Sequence, residues 1–233
     1  LLPSNINCTM PVVISQVGNG TTTNTANILA SAYPSPFGNF RLNSKQQYLY
    51  RASELQAAGI KGGYINSLAF YVKTLAPVTT YNNYTVRMHC STLSALTTDF
   101  DTALAEVYHP KPFHVIQGWN SIDFDQSYAW DGVSSLVVEI CMDANTGGTQ
   151  QNCAVENTST NFISSTTISN FGNPVCSVLG GATPSQKRPN TRFSVCGIKA
   201  DTSRFNYSWT PTIGLSDPTI INPYNNKKTP HGT

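Results

Sequence analysis

Residues 118–141 read GWNSIDFDQSYAWDGVSSLVVEIC, and the reading of this stretch decides the fold. Asn120, Ile122 and Phe124 alternate with Trp119, Ser121 and Asp123, the period of two expected of a half-buried strand. Asp131-Gly132 is a turn dipeptide. Leu136, Val138, Ile140 and Met142 then supply the most apolar strand in the chain. The stretch also holds two of the three tryptophans, and nothing in it resembles a catalytic apparatus.

Working outward, the same alternation recurs. Over 64–73, Leu68, Phe70 and Val72 alternate with Ala69, Tyr71 and Lys73. Over 84–90, Tyr84, Val86, Met88 and Cys90 share one face, with Thr85, Arg87 and His89 on the other. Residues 11–17, 46–50, 154–160, 162–169 and 191–196 also read as strands, and 104–109 and 113–116 as two short strands split by Pro110 and Pro112. Only 53–58 predicts a helical turn, with Ser53 as cap, Leu55 and Ala58 on one face and Gly59 as stop. Leu93, Leu96, Phe100 and Leu104 are spaced like a helix, but Thr97-Thr98 and the acids Asp99 and Asp101 suit a loop. The Thr/Asn/Pro-rich connection 21–39 needs packing anchors, for which Tyr33 and Phe37 are candidates. Residues 173–189 read as a loop.

About nine or ten short strands with turn signals between them predict an all-β fold, a jelly-roll-like β-sandwich over residues 1–200. An immunoglobulin-like sandwich is the alternative, but it needs only about 100 residues. Residues 201–233 open with a linker and then a strand bearing Tyr207 and Trp209. No partner strands follow it, which predicts the truncated start of a second module over 201–233 or a strand that docks on the first domain.

Composition narrows the function classes. Charged residues are 11% of the 233, under half the usual figure of about 25%. The net charge of +2 is scattered, which argues against nucleic acid. No run approaches the roughly 20 apolar residues of a membrane span. The opening LLPSNINC lacks the blocks of a signal peptide, so the chain reads as an interior piece of a longer exported protein. Six cysteines (Cys8, Cys90, Cys141, Cys153, Cys176, Cys196), with no CxxC pair or Cys/His cluster, point to disulfides in an oxidising compartment. Cys8 and Cys196 bracket the large domain. Cys90 and Cys141 end two strong strands, but on opposite faces, so their pairing would need a bulge. Cys141 with Cys153 or Cys176 is equally open.

Two carboxylate pairs, Asp99/Asp101 and Asp123/Asp125, could serve as solvated turn acids, as Ca²⁺ ligands or as a glycosidase pair. No EF-hand loop supports the calcium reading, no HExxH spacing involves the four histidines, and no GxSxG supports Ser/His/Asp catalysis. Trp119, Tyr128 and Trp130, with Tyr33, could form an aromatic platform stacking on sugar rings, or could fill the core and its rim. Asn7, Asn19, Asn83, Asn157 and Asn206 head formal glycosylation triplets.

Three separated stretches carry a resemblance: SKQQYLYRASELQAAGIKGGYINSLAFYV (44–72), GWNSIDFDQSYAWDGVSSLVVEIC (118–141) and KRPNTRF (187–193). Together they resemble a β-sandwich module repeated in very large cell-surface and gliding-motility adhesins of Bacteroidota, exported by the type IX secretion system. SWTPTIGLSDPTIINP (208–223) is similar to the opening strand of the immunoglobulin-like repeats that follow such modules. The resemblance covers about 12–196. It implies a non-catalytic structural or adhesive module, extracellular and on the cell surface, used in attachment or gliding. Its implied partners are neighbouring modules of the same chain, the secretion machinery, and polysaccharide or abiotic surfaces. Similar modules beside enzymes imply the alternative of a carbohydrate-binding accessory to a polysaccharide-degrading enzyme. The resemblance transfers no catalytic residues and no cofactor.

Overall fold

The computed structural model describes residues 12–23, 35–145, 151–197, 208 and 210. The chain divides into two units, Leu1–Ile198 and Lys199–Thr233. The immunoglobulin-like start expected in 201–233, Trp209 included, lies outside the described residues, as do Tyr33 and Cys8.

In chain order the elements are β1 (Val12–Val17), β2 (Thr22–Thr23), β3 (Gly38–Asn39), β4 (Asn43–Tyr50), the helix α1 (Ala52–Ala57), β5 (Gly63–Thr74), β6 (Thr80–Ser91), β7 (Ala105–His114) and β8 (Gly118–Trp130). There follow β9 (Ser135–Met142), β10 (Gln151–Asn152), β11 (Ala154–Ser159), β12 (Ser165–Asn170), β13 (Thr183–Ser185), β14 (Lys187–Pro189) and β15 (Thr191–Gly197). One sheet, here sheet I, runs β1-β15-β5, with β8 on the far side of β5 and β11, β2 and β14 extending its end. Sheet II runs β13-β12-β4-β9-β6-β7. All pairings are antiparallel and neither sheet closes into a barrel, so the domain is a β-sandwich. The main ladders are nested: β1 with β15, β4 with β9, β5 with β8, β6 with β7. A long hairpin rolled up across two sheets gives this nesting, which is the jelly roll.

The period-two patterns set the faces. Tyr48 and Tyr50 of β4, Val86 and Met88 of β6, and Leu136, Val138, Ile140 and Met142 of β9 point inward from sheet II. Ile65, Leu68, Phe70 and Val72 of β5, Ile122 of β8 and Phe193 of β15 point inward from sheet I. Phe37 anchors its long connection as expected: fully buried, it lies about 6 Å from the rings of Phe70, Tyr81, Tyr84 and Phe113. Each such large side chain contributes about 1.5–3 kcal/mol on burial.

Three local expectations change. β7 runs unbroken through Pro110 and Pro112 because it is the edge of sheet II, where a missing N–H faces no partner strand. Its register with β6 shifts repeatedly along that length. Residues 92–104 form no helix, in keeping with the loop that Thr97-Thr98, Asp99 and Asp101 suit. β13 and β14 lie within the stretch read as a loop. The helix α1 starts one residue before Ser53, and its N-cap is Arg51. Glu54 accepts the Arg51 N–H at 2.9 Å, which is the N3 half of a capping box.

Glu54 does a second job. Its carboxylate takes the Arg188 guanidinium side-on, Nη1 to Oε2 at 2.9 Å and Nη2 to Oε1 at 2.6 Å. Arg188 is 1% exposed, lies 4.4 Å over the Tyr50 ring and also donates to the Leu49 carbonyl. Helix α1 and strand β14 are thereby stapled across the end of the sandwich. At the β8–β9 turn, Gly132 has φ +83° and packs backbone to backbone against Gly62; a Cβ there would sit 2.9 Å from the Gly62 nitrogen. Asp131 accepts the N–H groups of Val133 and Ser134 and the Ser134 hydroxyl. Hence DG reads as a turn.

Candidate functional site: the outer faces of the two sheets

Strand β4 is buried along its whole length, on both faces. Its outer residues lie beneath two covering segments. Leu96 N–H donates to the Ile163 carbonyl, Phe100 N–H to Leu179, and Ala182 N–H to Thr98, so 92–104 and 171–182 are joined over sheet II. Leu49, Leu96, Val137 and Phe162 form a small second core there. The disulfide Cys141–Cys176, with Cα atoms 5.7 Å apart, fixes the cover to β9.

Under that cover is a charge cluster. Glu139, its side chain 2% exposed, accepts from Arg87 Nη1 at 3.0 Å and from Gln47 Nε2 at 2.8 Å, and meets Lys45 Nζ at 3.4 Å. Lys45 also donates to the carbonyls of Cys176 and Val178, and sits 4.4 Å over the Phe100 ring. Arg87 pairs with Glu106 at 3.1 Å. Gln47 exchanges hydrogen bonds with the Asp101 backbone, and the Asp101 carboxylate lies 2.8 Å from His89 Nδ1. A cavity of about 230 Å³ opens beside them, lined by Lys45, Arg87, Asp101, Thr102, Leu104 and Glu139 among others.

Chemically this is a satisfied ion network. Glu139 Oε1 accepts from Arg87, and Oε2 accepts from Gln47 beside the Lys45 ammonium, so its charge is balanced within the network. His89 and Asp101 make two members of a triad, but no hydroxyl or thiol among the described residues hydrogen-bonds to His89. Buried charges held in this way organise a fold without adding much net stability.

No segment among the described residues covers the outer face of sheet I around Trp119. Trp119 on β8 is opposite Tyr71 on β5, its ring 5.4 Å from the tyrosine ring and edge-on. Arg192 on β15 lays its guanidinium 3.8 Å over the indole. Between them and exposed Ile14 on β1 is a trough of about 180 Å³, lined by Ser67, Ala69, Ser121 and Ser194.

The expected aromatic platform is not assembled. Trp130 is 1% exposed and donates its indole N–H to the Ser134 carbonyl; Tyr128 is buried in the core and accepts the Cys90 N–H. Alternation along β8 puts Tyr128 and Trp130 on the inward face with Ile122 and Phe124, and Trp119 on the other. Of the three, Trp119 alone is on the surface.

The four acids are dispersed. Asp99 is exposed, Asp101 joins the sheet II network and Asp123 accepts from the Ser121 hydroxyl. Asp125 binds Lys111 at 2.6 Å and caps the His109 N–H. Desolvation raises the Asp125 pKa, but the hydrogen bonds from Lys111 and His109 and the charge of both together outweigh it and hold the carboxyl below its usual range. For a cation, Cys141, Asp143 and Cys176 come together, but both sulfurs are in the disulfide and Asp143 accepts the N–H groups of Val175 and Cys176. That group does not fit calcium.

No family model and no curated protein matches the chain. Its chemistry is therefore read from its own residues. Cys196 is disulfide-bonded, whereas Cys90 and Cys153 are thiols, so an even count does not pair all six. Cys90 faces the core and Cys141 faces outward, which keeps those two apart as their strand parity requires. Among the triplet asparagines, Asn19 and Asn83 are exposed and Asn157 is buried; Asn7 and Asn206 lie outside the described residues.

Sequence reasoning missed Lys45, Gln47, Arg87 and Glu139 as a group, and the Glu54–Arg188 staple. A signal existed for Glu139, a single acid inside the most apolar strand, because a charge there must have a buried partner. Nothing in the spacing marked Arg192 as the neighbour of Trp119.

Proposed function

We propose that this chain is a non-catalytic structural and adhesive module of a large cell-surface adhesin, exported by the type IX secretion system and used in surface attachment or gliding. The observation that carries this reading is the division of labour between the two outer faces. On sheet II the charged groups that could do chemistry are locked into mutual pairs under a disulfide-pinned cover. On sheet I a mostly apolar trough with an aromatic wall is left uncovered by the described residues.

The resembling motifs support the same reading. Glu54 of RASEL and Arg188 of KRPNTRF are joined in one buried staple, and the Asp131-Gly132 turn is packed against Gly62. These residues build a frame. The disulfides suit an oxidising, extracellular setting, and no helix among the described residues is long and apolar enough to cross a membrane.

Adhesion by such a module works through weak contacts multiplied along a repeated chain. Beads carrying the 233-residue chain at graded density should resist detachment by flow from glass or polysaccharide films, with retention rising faster than linearly with density. Retention equal to that of albumin-coated beads at every density would refute the proposal. The second reading, a carbohydrate-binding accessory module, is favoured by Trp119 at the trough. It requires saturable binding of a soluble glycan by a single module in solution.

A further inference from the structure

We propose that the trough on the outer face of sheet I is a binding site for uronate-bearing polysaccharide, with Arg192 as the carboxylate-binding residue. This rests on the adhesive reading and names the surface and the ligand class through which that adhesion works.

The register places the groups. Gln16, Arg192, Ala69 and Ser121 lie in one row across β1, β15, β5 and β8, and Ile14, Ser194, Ser67 and Asp123 in the next. With strands about 4.8 Å apart, four strands give a face roughly 15 Å across. Its centre is made of small residues, Ala69, Ser67, Ser121 and Ser194, three of them hydroxyl-bearing. Bulk stands only at the margins, Trp119 with Arg192 on one side and Ile14 on the other. A mostly apolar trough with three serine hydroxyls in its floor suits a pyranose ring, which has apolar C–H faces and hydroxyl edges.

Charge selects the kind of sugar. The Arg192 side chain is pinned, its guanidinium carbon 3.8 Å over the indole and its Nε donating to Gln16 Oε1 at 3.3 Å. No carboxylate among the described residues lies within ion-pair distance of it. The Nη1 and Nη2 donors therefore present a planar fork, the geometry that takes a carboxylate side-on. Lys73, outward and exposed two residues beyond Tyr71, adds positive charge at the same end, while Asp123 is on the next row and its carboxylate accepts from the Ser121 hydroxyl. The trough is cationic at the Trp119 end and acidic at the Asp123 end. A uronate is oriented with its carboxylate on Arg192 and its ring hydroxyls toward Ser121 and Asp123. One face of Trp119 is already covered by Arg192, so the indole acts as a wall and as a support for the fork.

The test is calorimetry and affinity electrophoresis of the 233-residue chain with polygalacturonate and alginate oligomers, neutral dextran and dextran sulfate. The expected result is saturable binding to the polyuronates, at least tenfold weaker in R192Q and in W119A at unchanged melting temperature. R192K, which keeps charge but loses the fork, should recover only part of the affinity, and K61Q, a charge removed elsewhere, should leave it intact. Equal binding to neutral dextran overturns the assignment. So does preference for dextran sulfate, or equal losses in K61Q and R192Q. If R192Q loses nothing, or the wild-type chain does not bind polyuronates, the site falls. Bead retention under flow separates the two claims: retention without polyuronate binding leaves the adhesive reading standing and removes only this site.

Discussion

Glu54→Gln isolates the charge of the α1–β14 staple from the helix cap. A glutamine at N3 still accepts the Arg51 N–H, so the capping contribution is kept. What is lost is the carboxylate against which Arg188 is buried at 1% exposure. Removing one partner of a buried pair costs about 3–5 kcal/mol, mostly because the other charge is stranded. Glu54 is 28% exposed on its side chain, so water supplies part of the compensation and the low end, about 3 kcal/mol, is expected. For a domain of this size that is a drop of roughly 6–12 °C in melting temperature. Equilibrium urea unfolding followed by fluorescence of the buried Trp130 measures it. The double variant Glu54→Gln/Arg188→Met removes the stranded charge as well, and methionine keeps the contact with the Tyr50 ring. It should therefore be more stable than Glu54→Gln alone, with a coupling energy of about 1–3 kcal/mol. A double variant whose losses merely add, or a single variant within about 0.5 kcal/mol of wild type, would show that the pair is solvated and refute the reasoning.

Three further outcomes follow from the same contacts. Replacing Cys141 and Cys176 by alanine releases a 35-residue loop, worth about 3.8 kcal/mol by loop-closure entropy, so thermal unfolding should fall by roughly 8–15 °C; a change under about 2 °C would contradict it. Burial pushes the Tyr50 hydroxyl up to about 12 despite Arg188 and the Thr191 hydrogen bond, and burial raises Tyr48, Tyr81 and Tyr84 as well. Their folded pKa values exceed the unfolded value of about 10, so stability is intact below about pH 10 and is lost as pH rises through the folded values. Phenolate absorbance should consequently show these tyrosines titrating only together with unfolding, and reversible titration of every tyrosine in the folded protein would contradict it. At Asp131 slight desolvation raises the pKa, but hydrogen bonds from the Ser134 hydroxyl and from the Ser134 and Val133 N–H groups outweigh it and depress the value. Its stabilising effect is present above about pH 4 and is lost as pH falls through the depressed value, so the stability gap between wild type and Asp131→Asn should close in acid. A gap independent of pH would count against it.

The inner halves of the strands were legible because a buried face leaves a period-two record. Tyr84, Val86 and Met88, and Leu136, Val138 and Ile140, could be assigned to the core before any register was known, and the same parity kept Cys90 from Cys141. The prolines of β7 misled, because whether Pro110 ends a strand depends on which edge of the sheet it occupies, and edge position is a property of topology. The Cys141–Cys176 pairing was one of several open choices. Residue 176 sits in a connection with no period, and only the cover over sheet II brings it to β9.

The outer faces carry no comparable record. Arg87 on sheet II, and Arg192 and Ser121 on sheet I, fall among the polar residues of stretches read as strands, and Lys45 lies just before the strand read over 46–50. Whether such a residue is solvated, walled into an ion network or left open to a ligand is decided by what crosses above it. On sheet II, 92–104 and 171–182 cross, and a burial cost falls on every charge beneath, so each must find a partner. On sheet I nothing among the described residues crosses the row from Ile14 to Trp119, and Arg192 has no such obligation. An arginine that desolvation does not force into a pair, yet that stacking on an indole holds in place, has little rotamer freedom left to lose when a carboxylate arrives. That difference in what covers each face, more than residue type, is why the same alternation yields a locked network on one side and a candidate binding surface on the other.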